Sequence, residues 1–208
     1  GIWTITGSVS TVNTALANVV FQPGTYNVAD TTISAQITDS DGATTSVGSI
    51  ALVRSRFEPT GLSASDAMGD NVAISGDWAI LGAKLDDTVG GTDAGSVYIY
   101  KRNSDATWSL FQQLFASDGA ASDNFATSVD IDGTRAVVGA SLDDSPSTNA
   151  GSAYVFEFNG TAWVQVAKMV AGDAAASDQY GISVAVSGST IAIGAHADDD
   201  GGTNTGSV

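Results

Sequence analysis

Ser122-Asp123-Asn124-Phe125-Ala126-Thr127-Ser128-Val129-Asp130-Ile131-Asp132-Gly133-Thr134-Arg135-Ala136-Val137-Val138-Gly139-Ala140 decides the fold, because its pattern is met again on either side. Upstream by 57 residues begins Ser65-Asp66-Ala67-Met68-Gly69, followed by Val72-Ala73-Ile74-Ser75-Gly76 and Ala79-Ile80-Leu81-Gly82-Ala83. Downstream by 55 begins Ser177-Asp178-Gln179-Tyr180-Gly181, followed by Val184-Ala185-Val186-Ser187-Gly188 and Ile191-Ala192-Ile193-Gly194-Ala195. Each copy then crosses an Asp-rich loop into Gly95-Ser96-Val97-Tyr98-Ile99-Tyr100, Gly151-Ser152-Ala153-Tyr154-Val155-Phe156 or Gly206-Ser207-Val208. A self-similar period of this length marks a repeat architecture, in which each unit buries its apolar faces on its neighbours.

The units read as short strands, since no long segment carries apolar residues at helical spacing. Gly76-Asp77, Gly133-Thr134 and Gly188-Ser189 suit two-residue hairpins that need a positive φ, and Asn159-Gly160 carries the strongest such turn signal. Trp108 to Phe115 and Trp163 to Val170 supply a fourth strand in the first two copies. Both alternating faces of Val97-Tyr98-Ile99-Tyr100 and Ala153-Tyr154-Val155-Phe156 are apolar, as in a sheet covered on both sides. Four-stranded sheets repeated radially meet that requirement. The expected fold is therefore all-β: a partial β-propeller of about three four-stranded blades, the last truncated, with a β-sandwich fragment before it. Gly82-Ala83, Gly139-Ala140 and Gly194-Ala195 then mark stations where blades come too close for larger side chains.

Residues 1–53 fall outside the repeat. They hold strand-like runs at Ile2 to Thr6, Val19 to Phe21, Thr31 to Thr38 and Ser46 to Val53, with a brief helical stretch at Val12 to Ala17. Residues 54–64, with Pro59 and Gly61, read as a linker, and 65–208 as the repeats: 65–121, 122–176 and a truncated 177–208. Seven Lys and Arg against 23 Asp and Glu give a net charge of -16. Such a chain lacks the clustered cations that hold nucleic acid or an anionic membrane surface. It has no Cys, hence no disulfide, thiolate metal site or thiol nucleophile. No apolar run is long enough to span a bilayer, and Gly1-Ile2-Trp3-Thr4 has neither an initiator Met nor the character of a signal peptide, so the chain reads as a segment of something longer.

The repeat resembles bacterial FG-GAP repeat proteins, related in fold to the β-propeller head of integrin α chains. Met68-Gly69, Phe125-Ala126 and Tyr180-Gly181 stand at the first motif pair; the Gly-Ala pairs match the second, with Lys84, Ser141 and His196 in place of its Pro. The resemblance implies a ring of about seven blades, on the order of four more than are present here. Residues 1–53 resemble the end of a cadherin-like, immunoglobulin-type repeat through Trp3-Thr4-Ile5-Thr6-Gly7, Val12-Asn13-Thr14-Ala15-Leu16, Val20-Phe21-Gln22-Pro23 and Ile37-Thr38-Asp39-Ser40-Asp41-Gly42. Together the two resemblances imply a large bacterial surface or secreted protein, located outside the cell.

Integrin-type blades bind calcium in a DxDxDG-like hairpin between the first two strands, and here that hairpin has shrunk to Asp130-Ile131-Asp132-Gly133, too little for the ligand set to carry over. A second acidic cluster recurs between the second and third strands: Asp86, Asp87 and Asp93; Asp143 and Asp144; Asp198, Asp199 and Asp200. Such carboxylates, with backbone carbonyls, offer oxygens to calcium, although Asp, Gly, Asn and Thr also build ordinary solvated turns. Asp39-Ser40-Asp41-Gly42 is a third candidate. His196, the one histidine, occupies a station that also accepts Lys and Ser, which points to an exposed loop start; no Ser-His-Asp triad can be assembled. The tryptophans read as packing between blades, since a buried indole supplies large apolar area. Asn159-Gly160-Thr161 is formally a glycosylation acceptor but first of all a turn.

These residues point to a non-enzymatic extracellular binding or adhesion module with calcium as the candidate cofactor. Its expected partners are a protein or glycan on a cell or matrix surface and the remaining blades of the same chain. Neither nucleic acid nor membrane insertion is expected. The alternatives are a passive spacer or the non-catalytic part of a propeller-bearing hydrolase.

Overall fold

The structure is a computed structural model that describes residues 31–38, 44–52, 59 and 61–208. The chain divides into two compact units, Gly1–Arg54 and Ser55–Val208. The first holds an antiparallel hairpin of β1 (Thr31–Thr38) and β2 (Thr44–Leu52), with an irregularity between Ala35 and Gln36. Trp3, the strands expected at Ile2 to Thr6 and Val19 to Phe21, the helical stretch at Val12 to Ala17 and the turn Asp39-Ser40-Asp41-Gly42 lie outside the described residues, as does most of the expected linker.

In the second unit the repeats fold as expected. β3 (Met68–Ser75), β4 (Trp78–Ala83), β5 (Ser96–Arg102) and β6 (Trp108–Leu114) form one antiparallel sheet in sequence order. β7 (Phe125–Asp132), β8 (Arg135–Ala140), β9 (Ser152–Phe158) and β10 (Trp163–Met169) form the next, and β11 (Tyr180–Ser187) with β12 (Thr190–Ala195) begin a third. These are consecutive blades of a partial propeller. Gly76, Gly133 and Gly188 have φ of 57°, 57° and 56° and open two-residue hairpins, the position where a type II′ turn demands glycine. Asn159-Gly160 behaves differently. Its connection is four residues long, because the Asn159 side chain accepts hydrogen bonds from the Thr161 and Ala162 amides and closes a wider loop.

The strict alternation of strand side chains sends neighbouring residues to opposite blades. Ile80, Val97 and Ile99 of the first blade pack against Ile131, Ala136 and Val138 of the second in one core. Val137, Ala153 and Val155, one position out of phase, pack against Val186 and Ile193 of the third. Burial of each large aliphatic side chain contributes about 2 kcal/mol. Trp78 and Trp163 meet edge-on at 5.3 Å within the first core, flanked by Phe111 and Phe158, so these tryptophans pack between blades as expected. Trp108 packs on a separate cluster around Leu81 and Tyr100.

Of the Gly-Ala pairs, the one at Gly139 comes closest to the next inner strand, and Gly95 and Gly151, which open the third strands, approach it about as closely. A methyl group on Gly139 would stand 1.9 Å from the Gly181 carbonyl oxygen and 2.4 Å from Ser128 Oγ. Polar links follow the same seam: Asn71 Nδ2 donates to the Ala126 carbonyl at 3.3 Å, and Ser128 Oγ donates to the Gly181 carbonyl at 2.7 Å. At the inner hairpins, Gly133 N–H donates to Ser75 Oγ and Gly188 N–H to Asp132 Oδ2. Gly139→Ala should therefore destabilise the protein by at least ~2 kcal/mol through overpacking. Gly172→Ala, where an added Cβ meets nothing within 4 Å, should stay within about 0.5 kcal/mol of the wild type when both variants are unfolded by urea titration.

Candidate functional site

The three acidic loops, residues 84–95, 141–151 and 196–206, join the second and third strands of each blade and share one scaffold. The first aspartate of each, Asp86, Asp143 or Asp198, turns inward and is buried. Its backbone amide donates to Ala83, Ala140 or Ala195, and its carbonyl receives the N–H of Gly95, Gly151 or Gly206, which closes the loop. The second aspartate is exposed and ties the crest: Asp87 Oδ1 accepts from Asp93 N–H, Asp144 Oδ1 from Asn149 N–H and Asp199 Oδ1 from Asn204 N–H. Asp93, Asn149 and Asn204 have φ of 54°, 52° and 51°, a left-handed corner that Asp and Asn tolerate. Asp93 thus serves as a backbone corner. Its carboxylate has no counterpart in the other two loops. Among the described residues no three His, Cys, Asp or Glu side chains converge in a set that could hold a metal ion.

The first two loops also receive the blade that follows. Ser122, Asn124 and Phe125 donate their amides to the carbonyls of Thr92, Asp93 and Ala94 at 2.9, 3.2 and 3.0 Å. Ser177, Gln179 and Tyr180 repeat this on Thr148, Asn149 and Ala150 at 2.9, 3.2 and 2.8 Å. Asp66, Asp123 and Asp178, missed as candidates, are buried and hold that lead-in segment by accepting from the amides of Ser63, Ala120 and Ala175. Their recurrence in the Ser-Asp pair of every copy was the signal. Asp130 and Asp132, the shrunken hairpin, likewise accept from the Val186 and Gly188 amides and so link blades.

Beneath the loops the blades differ in charge. In the first, Asp86 Oδ2 accepts from Ser96 Oγ at 2.5 Å, Tyr98 OH at 3.1 Å and Gln113 Nε2 at 3.2 Å. Burial, aided by the charge of Asp86, pushes the Tyr98 hydroxyl up to about 12, although Ser96 pulls the other way. In the second blade Lys168 takes the station of Gln113, donating to Asp143 at 2.8 Å and Asp118 at 2.7 Å, and Tyr154 OH lies between the two carboxylates, 2.6 Å from Asp143 and 2.9 Å from Asp118, with its one proton shared between them. Asp118 corresponds to Gly61 in the first blade, so the extra carboxylate and the lysine arrive together. Burial works to raise Asp118, but the hydrogen bonds of Lys168 and Tyr154 outweigh it and hold the carboxyl below its usual range. Burial likewise opposes the charge on Lys168, and its two carboxylates outweigh that, raising the amine. In the third blade Asp200 stands beside Asp173, whose hydrogen bond and charge raise it, with the charge of Asp198 adding. Asp198 is held low by Ser207 and by the Asp200 amide.

At the loop starts, Lys84 pairs with Asp70 at 3.0 Å and Ser141 donates to Thr127, while His196 is exposed. Above these bases the crests are exposed and differ: Val89 is fully exposed in the first loop, Pro146 in the second and Gly201-Gly202 in the third stand in water. A shallow cleft beside the first crest is lined by Thr88, Val89, Gly90, Phe115 and Gly119.

A protein-family model described as FG-GAP repeat matches residues 54–100, 108–156 and 163–208, well over half of the chain. The second matched segment runs from β6 through β9, so the family's unit takes the outer strand of one blade with the first three of the next. No curated protein matches the chain significantly.

Lys168→Met should cost about 1–2 kcal/mol at neutral pH, because it strands Asp143 in the interior while Lys168 itself keeps part of its side chain in water. The depressed Asp118 contributes stability that is present above the ordinary carboxylate value and lost as pH falls through the folded one. The gap between wild type and variant should therefore narrow below about pH 4 in thermal melts. Asp200→Asn should act in the opposite sense. A carboxyl raised by its neighbours destabilises the native state once ionised, so the variant should melt higher at pH 7 and identically in acid.

Proposed function

Because the chain belongs to the FG-GAP repeat family, a non-catalytic repeat found in adhesion and binding modules, we propose that it is a non-enzymatic extracellular binding module of a large bacterial surface or secreted protein. The observation that carries this reading is the build of the acidic loops. The same buried aspartate and the same loop-closing backbone hydrogen bonds hold exposed crests of different sequence at one edge of successive blades, and a rigid scaffold under variable loops is how binding surfaces are made. The proposed partner is a protein or glycan on a cell or matrix surface, met by several crests at once so that weak contacts add as avidity. The chain's excess negative charge favours solubility and disfavours anionic partners.

Calcium belongs to this proposal at the third loop. There Asp200 stands beside Asp173 and feels the charge of Asp198, without the lysine that neutralises the second blade, and a hard cation shared by Asp200 and Asp173 would relieve the repulsion that raises Asp200. Melting the protein in about 2 mM calcium and in excess EDTA tests it, since a ligand of the native state raises the Tm by mass action. The expected result is an upward shift that Asp200→Asn removes. Superimposed curves would leave the aspartates as turn residues.

The binding reading itself is tested by probing the chain against glycan arrays and matrix proteins. Val89→Asp should sharply reduce capture with the Tm unchanged, Val89 being a fully exposed crest position. Absence of any captured glycan, protein or cell surface would leave the passive spacer as the better account.

A further inference from the structure

The station beneath the loops is filled in the second blade and open in the first. Superposing the repeats sets Gly61 on Asp118, Asp86 on Asp143, Tyr98 on Tyr154 and Gln113 on Lys168. Where the side chains of Asp118 and Lys168 close the second blade's station, a glycine and a shorter glutamine leave a cleft of about 270 Å³ in the first. Asp86, Tyr98 and Gln113 line its floor, and Asp87, Val89 and Phe115 stand exposed around it. The opening does not come from a missing neighbour. The second blade has a blade before it, and its Lys168 and Asp118 side chains still keep 21% and 47% of their surface in water.

Asp86 is 5% exposed and differs from its counterparts in two respects. Asp143 is paired with the Lys168 ammonium, whereas no lysine or arginine among the described residues pairs with Asp86. Asp143 Oδ1 and Asp198 Oδ1 also accept the amide two residues on, from Ser145 and Asp200. In the first loop the amide at that station, Thr88 N–H, turns to the Gly91 carbonyl at 3.1 Å and leaves Asp86 Oδ1 without the cap. The donors that Asp86 Oδ2 does have, Ser96, Tyr98 and Gln113, are all neutral. A buried carboxylate gains most from a cation that brings hydrogen bonds of its own.

We propose that this cleft takes the side chain of a lysine from a protein partner, its ammonium over Asp86 where Lys168 sits over Asp143, and its methylene stem against Val89 and Phe115. The proposal rests on the chain being a binding module and names what the first crest recognises. An ammonium suits the floor better than a metal ion does. One buried carboxylate beside donors from Tyr98 and Gln113 falls short of the roughly six to eight oxygens that calcium gathers. The apolar flank favours an alkyl arm over the hydroxylated ring of an amino sugar, because lysine buries its stem while the charged head seeks its partner. The net charge of -16 also draws cationic partners in, less so as salt rises.

The test titrates the isotope-labelled 208-residue chain with Nα-acetyl-lysine methylamide and follows the amides of Thr88, Val89 and Gly90 by NMR. One side chain is expected to bind with a Kd on the order of 1 mM, and the Nε-acetylated analogue, which has lost the charge, at least about tenfold more weakly. Gln113→Lys places an internal ammonium over Asp86, as in the second blade, and should remove the binding without lowering the Tm. Asp86→Asn should weaken binding about tenfold if it melts like the wild type; should it unfold, Gln113→Lys decides alone. No response at about 20 mM probe overturns the inference, and leaves the binding reading standing wherever the chain still captures a glycan or matrix protein. An equal response to the acetylated analogue overturns it as well, since the cleft would then be indifferent to charge. Tighter binding of glucosamine than of the lysine probe overturns the assignment to a protein side chain.

Discussion

Everything in the repeat unit depends on how closely one inner strand can lie on the sheet before it. At Gly139 the Gly181 carbonyl comes so near that a methyl group has no room, and Gly151 meets the Tyr180 carbonyl in the same way. With backbones this close, the side chains on either side interlock as one core, and short polar links such as Ser128 to the Gly181 carbonyl become reachable. Both faces of the middle sheet are then buried, which is why Val137 and Ala136 are both apolar despite pointing to opposite blades.

The same closeness accounts for most of the aspartates. A lead-in segment pressed against the preceding loop leaves backbone amides that must find acceptors once water is excluded. Loop carbonyls take three at each junction, and Asp123 and Asp178 take one more each. The loop aspartates are divided by depth. Asp86 and Asp143 reach down to a tyrosine on the third strand and to Gln113 or Lys168 on the fourth, while Asp87 and Asp144 close the crest. Binding capacity, on this view, resides in the crests, and the buried carboxylates keep them in place.

The composition and the recurrence of residues determined a great deal. The 57- and 55-residue spacings fixed the number of copies, the alternation within Val97-Tyr98-Ile99-Tyr100 showed that both sheet faces are covered, and the Gly-Ala pairs located the close crossings. Those features are local or periodic, so they survive projection onto one dimension. The Asn159-Gly160 turn was misjudged for a related reason. A dipeptide signals a turn, but the length of the loop was set by the Phe158 and Trp163 pairing and by the Asn159 side chain.

What each aspartate does was legible only in three dimensions. In sequence, Asp86, Asp87 and Asp93 form one acidic cluster; in the fold they point to a buried tyrosine, a loop amide and a left-handed corner. The partnership of Asp118 with Lys168 spans 50 residues, and its logic appears only when the blades are superposed and Gly61 and Gln113 are seen at the same stations. A sequence specifies which residue types recur and at what spacing, because strand period and turn chemistry act between near neighbours. Direction, depth and partner of a carboxylate depend on chain segments that meet only after the blades have stacked, and tertiary structure alone decided them.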